Sequence, residues 1–250
     1  MPPICLHLGV AGEAISRLRH PVVDNNPGSY YLGSTAPDIR FFIGVRREET
    51  HFLPLNCENG ASGSELMFRA YPELIDDVNL GEATRAFIAG YLSHLVTDEL
   101  WIYRIYRPFF SKSSSLEGDN TANLFDRLLQ FELERRERLN GSLISSARSE
   151  LLDSGPEVSV GFVDAPTLNR WREFVYIATS GELGWDDFRV FAQKYIIWMR
   201  YKPAERLESF FEAFDDRLKQ VLDVVPEEQL REFREQSIES SVKLAGEYLG

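Results

Sequence analysis

A chain of 250 residues with 44% hydrophobic and 26% charged side chains is long enough to bury a substantial core and ordinary in composition for a globular protein. Its net charge of −12 excludes long-range attraction to nucleic-acid backbones or anionic membrane surfaces, and no apolar run approaches the roughly 18 to 20 residues that span a bilayer. Two cysteines, Cys5 and Cys57, are too few for a disulfide framework, and the start lacks the basic region of a signal peptide, so a cytoplasmic location with reduced thiols is expected.

Apolar residues are irregularly spaced up to Val10, and a short helix is predicted through Ala11, Ile15 and Leu18, with His7 just before it as a packed or capping residue. His20, followed by Pro21, reads as an exposed helix end, and residues 21–29 read as a loop rich in Pro, Asn, Asp and Gly. In YYLGSTAPDIRFF the small or rigid residues Gly33 to Pro37 bring the backbone in close and aim Asp38 from a fixed turn, either into a site or into solvent. Arg40, Arg46 and Arg47 follow on a predicted short helix, as surface charge or as neutralisers of a substrate phosphate. Thr50, His51 and Phe52 then precede LPLNCENGASG, a stretch long enough to form a mouth or lid; its Cys57 is a small buried side chain or a soft metal ligand. Helical patterning resumes near Ser64 and breaks at Pro72.

Residues 81–108 predict a long helix, apolar on more than one side and therefore buried, ending at Pro108. Within its GYLSHLVTDELW stretch, His94 and Asp98 stand four residues apart and project from one face. That spacing suits a pair gripping a cation, a surface ion pair or a hydrogen-bonded core histidine. Gly90 and Tyr91 lie a turn earlier, leaving room near the backbone, and Trp101 a turn later supplies an aromatic wall.

A polar connector follows, then a helix over 121–139 in which Asp126 and Gln130 are four apart, terminated by Asn140 and Gly141. Further helices are expected from Asp164 and Pro166, after Gly184, from Pro203, and from Pro226 towards Leu249. Only residues 155–163, with Val158, Val160 and Phe162 alternating, hint at a strand. The expectation is one all-α, multi-helix domain over 1–250, with the site residues in 1–110 and residues 111–250 completing the core. No GxGxxG, Walker-type loop, CxxC pair, zinc-finger spacing or Gly-x-Ser-x-Gly elbow is present.

Three of the four histidines fall in motif-like settings, and none follows His94. His7, Asp38, His51, His94 and Asp98 form an ordered series of nitrogen and oxygen donors suited to zinc or another first-row divalent metal. With His7 near the N-terminus, GSTAPDI around Asp38, THF around His51 and GYLSHLVTDELW around His94 and Asp98, the first 110 residues or so resemble the zinc-dependent phospholipase C and fungal zinc nuclease family. Its members are all-α metal-dependent phosphodiesterases with a cluster of zinc ions.

The resemblance implies that Asp38, His51, His94 and Asp98 ligate one metal, that Asp98 bridges to a second held by His7, and that Asp38 also orients or deprotonates the attacking water. It implies a phosphoester-containing small molecule or lipid headgroup as substrate. The family's later histidines, including a His-x-x-x-Glu pair, have no counterpart here; Asp126 and Gln130 keep that spacing, with glutamine a poor zinc ligand. A site of one or two ions is therefore expected. The alternative is a non-catalytic metal-binding helical protein acting as an interaction module. A histidine–aspartate phosphohydrolase is disfavoured, since no His-Asp doublet occurs.

Overall fold

A helix that is apolar on every side is stable only when surrounded, and other helices pack around the one that carries His94 and Asp98. A computed structural model describes residues 2–54, 62–75, 79–111, 121–154, 157–198 and 210–250, and the fold is all-α. The helices, in order, are α1 (Ile4–Leu18), α2 (Pro21–Asp24), α3 (Pro27–Thr35), α4 (Arg40–Ile43), α5 (Glu48–His51), α6 (Gly63–Ala70), α7 (Glu82–Leu100), α8 (Arg107–Phe110), α9 (Thr121–Leu139), α10 (Gly141–Leu152), α11 (Ala165–Ala178), α12 (Trp185–Trp198), α13 (Phe214–Val224) and α14 (Glu227–Leu249). None of the helices described is long and apolar enough to cross a membrane.

Two apolar clusters form the interior. One gathers Leu8, Tyr30, Phe87, Leu151, Trp171 and Leu249; the other gathers Trp101, Phe110, Leu128, Phe188, Phe210 and Phe233. Full burial of each such side chain stabilises the fold by roughly 1.5–3 kcal/mol. Both clusters draw on distant parts of the chain, and α7 joins them: its residues up to Leu95 belong to the first, and Trp101 just beyond it to the second. On α1, Leu6 beside His7 faces the second cluster, while Cys5 and Leu8 belong to the first. The seam between the clusters therefore passes close to the predicted donors.

The closest helix contact is between α3 and α7. Gly33 lies against the Phe87 carbonyl and Gly90 against the Tyr30 carbonyl, so closely that a Cβ at either position meets backbone. The room predicted beside Gly90 is thus occupied by another helix. One turn on from Gly90, Ser93 donates to Ser241 of α14 at 2.9 Å.

Several local expectations change. α1 begins at Ile4, seven residues before Ala11, so His7 lies inside it; Cys5, Leu6, Leu8, Gly9 and Val10 are all buried, which erases the amphipathic period that marks a helix. Residues 21–29 contain α2 and the start of α3, both with proline in the first turn, where its missing N–H was unpaired in any case. His20 is half-buried, and its Nδ1 caps α2 by accepting from Val22 N–H.

Pro108 does not end the α7 path. A π-helical turn, Trp101–Tyr106, follows α7, and Arg107 N–H bonds the Ile102 carbonyl. Pro108 falls where the register returns to α-helical, in the first turn of α8. The alternation at Val158, Val160 and Phe162 produces an isolated bridge between Val160 and Val163, with no strand among the described residues. The expected starts at Asp164 and Pro226 agree with α11 and α14, and Asp164 caps α11 by accepting from Thr167 N–H at 2.8 Å. Pro203 and Cys57 lie outside the described residues.

Candidate metal centre

The five predicted donors arrive from four separate elements and converge. α1 brings His7, α7 brings His94 and Asp98, a 3-10 turn at Ala36–Ile39 brings Asp38, and α5 brings His51. Each arm is braced. The Gly33–Gly90 crossing sets α3 against α7, so that His94 Nδ1 donates to the Ser34 carbonyl at 2.8 Å. Trp171 Nε1 donates to Thr35 Oγ1 just before the Asp38 turn. Tyr91, predicted on the face of His94, donates its hydroxyl proton to the Thr50 carbonyl and anchors the His51 turn. Phe52 leaves that turn at φ 61°, unusual for a side-chain-bearing residue, with its ring against Tyr71, Tyr91 and Phe162.

One hydrogen bond assigns the His94 tautomer. Because a carbonyl only accepts, His94 carries its proton on Nδ1 and turns the Nε2 lone pair inward. His51 Nδ1 lies 3.0 Å from Thr50 Oγ1, a hydroxyl that can donate to it, and the His51 Nε2 edge points inward as well. The two Nε2 atoms approach one another to 3.3 Å. His51 Nε2 also lies 3.2 Å from Asp98 Oδ2 and 3.6 Å from Asp38 Oδ1, and His94 Nε2 lies 3.9 Å from Asp98 Oδ2. Tetrahedral zinc with ligands at about 2.0–2.1 Å has edges of about 3.3 Å.

His7 stacks on His94 with ring centroids 3.8 Å apart, its Nε2 3.5 Å from Asp98 Oδ1. His7 Nε2, Asp38 Oδ1 and Asp98 Oδ1 are buried without a hydrogen-bond partner, a costly state for three polar atoms in one place. Two groups, His7–His94–Asp98 and Asp38–His51–His94, bring their ligand atoms within 4.8 Å of one another and can hold a metal ion.

The electrostatics suit a cation. Burial drives the histidines towards neutral imidazole, the ligand form: His94 falls to about 4, and His7 and His51 fall below their usual range, with Arg47 adding to the effect at His51. Asp38 moves upward, through burial and the nearby charge of Asp98. Burial alone would raise Asp98 too, but Arg47 Nη2 donates to its Oδ2 at 2.8 Å and keeps it ionised. A further cation lets both carboxylates ionise together. Because a lowered histidine pKa means that protons compete only below the ordinary value of about 6.5, an ion held here is expected to survive dialysis at pH 5.5 and to leave as the pH approaches 4. Complete loss at pH 6, measured as metal content after dialysis, would contradict this.

Arg47 is the site residue that sequence reasoning did not separate from its neighbours. Its side chain is 8% exposed and bonded to Asp98, whereas that of Arg46 is 81% exposed and pairs with Glu49. The available signal was its position four residues before His51, on the same turn. Trp101 does not wall the site; its ring packs edge-on against Phe233 in the second cluster, and its Nε1 donates to Asp126 Oδ1. Gln130 Nε2 donates to Asp126 Oδ2, so both oxygens of Asp126 are engaged away from the five donors. Burial pushes the Cys5 thiol pKa up and leaves it a packed, protonated side chain.

Asp38 is 7% exposed, against 0–2% for the other four donors. It lines a cleft of about 410 Å³ whose other walls include Phe41, Phe42, Phe131, Trp171 and Phe174. The centre thus meets a predominantly apolar cavity at one carboxylate. No family model, curated protein or solved structure matches this chain.

Proposed function

We propose that the protein is a zinc-dependent hydrolase of phosphoesters, of the phospholipase C and zinc nuclease type. The observation that carries this reading is the approach of His51 Nε2 and His94 Nε2 to 3.3 Å beside Asp38 and Asp98, with Asp38 facing a cleft. Two imidazoles and two carboxylates are a borderline-soft donor set that suits zinc. When bound, the ion supplies Lewis acidity, acidifying water and withdrawing charge from phosphoryl oxygens.

The chain's own groups do the rest. Asp98 and His51 hold the centre's shape through Arg47 and Thr50. Asp38, with Oδ1 turned towards His51 and its residual exposure towards the cleft, orients a water and takes its proton. Phe42, Trp171 and Phe174, packed edge to face or tilted, receive the apolar part of the ester and exclude water from the reacting side.

The test is metal analysis of the purified protein together with hydrolysis of an aryl phosphodiester and an aryl phosphomonoester, before and after chelation and zinc reloading. Stoichiometric zinc with zinc-dependent turnover is expected. Bound zinc with no turnover on a broad phosphoester panel would favour a structural ion in an interaction module, and no stoichiometric metal would remove both readings.

A further inference from the structure

We infer that Arg47 occupies the role of a second cation, so that the centre takes one divalent ion and His7 stands outside its ligand set. This rests on the metal reading above. The donor arithmetic is decisive: both candidate groups require His94, whose Nδ1 is engaged by the Ser34 carbonyl, leaving one lone pair for one ion. With His94 assigned to Asp38 and His51, a second ion would retain only His7 and Asp98.

Asp98 is already neutralised. The Arg47 guanidinium donates to its Oδ2 at 2.8 Å, and the two side chains are only 8% and 1% exposed. Arginine does not deprotonate in proteins, so this charge is permanent. Two carboxylates and one guanidinium carry a net −1; one dication brings the group to +1, and two bring it to +3 in a pocket shielded from water. Arg47 is also locked to the ligand turn, since its carbonyl accepts from His51 N–H at 2.8 Å and from Thr50 Oγ1. One short helix therefore delivers both a ligand and the cation that excludes a second ion.

Zinc stoichiometry under saturating zinc, read by native mass spectrometry and equilibrium dialysis, tests this. The wild type and Arg47→Lys are expected to hold one ion per chain, and Arg47→Gln to hold two. His7→Gln, which leaves Arg47 in place, is expected to keep one ion with an affinity within about tenfold of wild type. Two ions in the wild type, one in a folded Arg47→Gln, or loss of the ion in His7→Gln would overturn the inference while leaving a metal centre standing. No ion in the wild type would remove the metal reading and this inference with it.

Discussion

Replacing His94 by alanine is expected to abolish stoichiometric zinc binding and to lower kcat/KM for an aryl phosphodiester by about a thousandfold or more. A metal supplies several kcal/mol of transition-state stabilisation, and each 1.36 kcal/mol is a factor of ten. His94 is the donor common to both candidate groups, so no regrouping of the remaining four recovers a triad containing it. The side chain is fully buried and satisfies the Ser34 carbonyl, so some stability is lost as well. Asp38→Asn separates the two effects. It keeps the volume and most of the packing at the most exposed donor, and should reduce turnover strongly while the thermal midpoint moves little. Full activity in a folded His94→Ala protein would refute the proposed centre.

Gly90→Ala should destabilise the fold by about 2 kcal/mol or more and weaken zinc binding at the same time. In an ordinary helix this exchange gains up to about 1 kcal/mol. Here the added Cβ meets the Tyr30 carbonyl, a backbone atom that no rotamer change can remove, and overpacking costs about 1–3 kcal/mol, occasionally more. The steric effect therefore outweighs the propensity. Separation of α3 from α7 also carries the Ser34 carbonyl away from His94 Nδ1, which links helix spacing to ligand orientation. Urea unfolding of the metal-free protein and zinc titration of the same sample check both parts. Unchanged stability would show that the crossing tolerates a methyl group, and the close packing would then not be what sets the site.

What could be read along the chain was whatever depends on near neighbours. His94 and Asp98 share a helix, and their spacing alone puts them on one face. Asp38 sits on a turn that Pro37 and small residues make rigid, as expected. The caps at Asp164 and Pro226 are local chemistry, and the helices begin there. Where a helix is buried all round, the same reasoning fails: α1 showed no period over its first half, and His7 was placed outside the helix that carries it. Trp101 fails for a different reason, because a face defined at Asp98 is lost where the helix changes to π geometry.

Arg47 marks the boundary most clearly. Three arginines within eight residues are indistinguishable as charges, and only the placement of the 47–51 turn, held to α7 by Tyr91, puts one guanidinium on Asp98 and leaves another in solvent. The amino-acid sequence by itself determined the all-α class and the helix face that His94 and Asp98 share, because composition, caps and i,i+4 spacing act over one or two turns. The tertiary structure alone decided that side chains separated by up to 91 positions cluster together, that two imidazole Nε2 atoms meet, and that a guanidinium sits beside them. Those outcomes follow from close approach of helix backbones at Gly33 and Gly90 and from burial, neither of which is a property of any single segment.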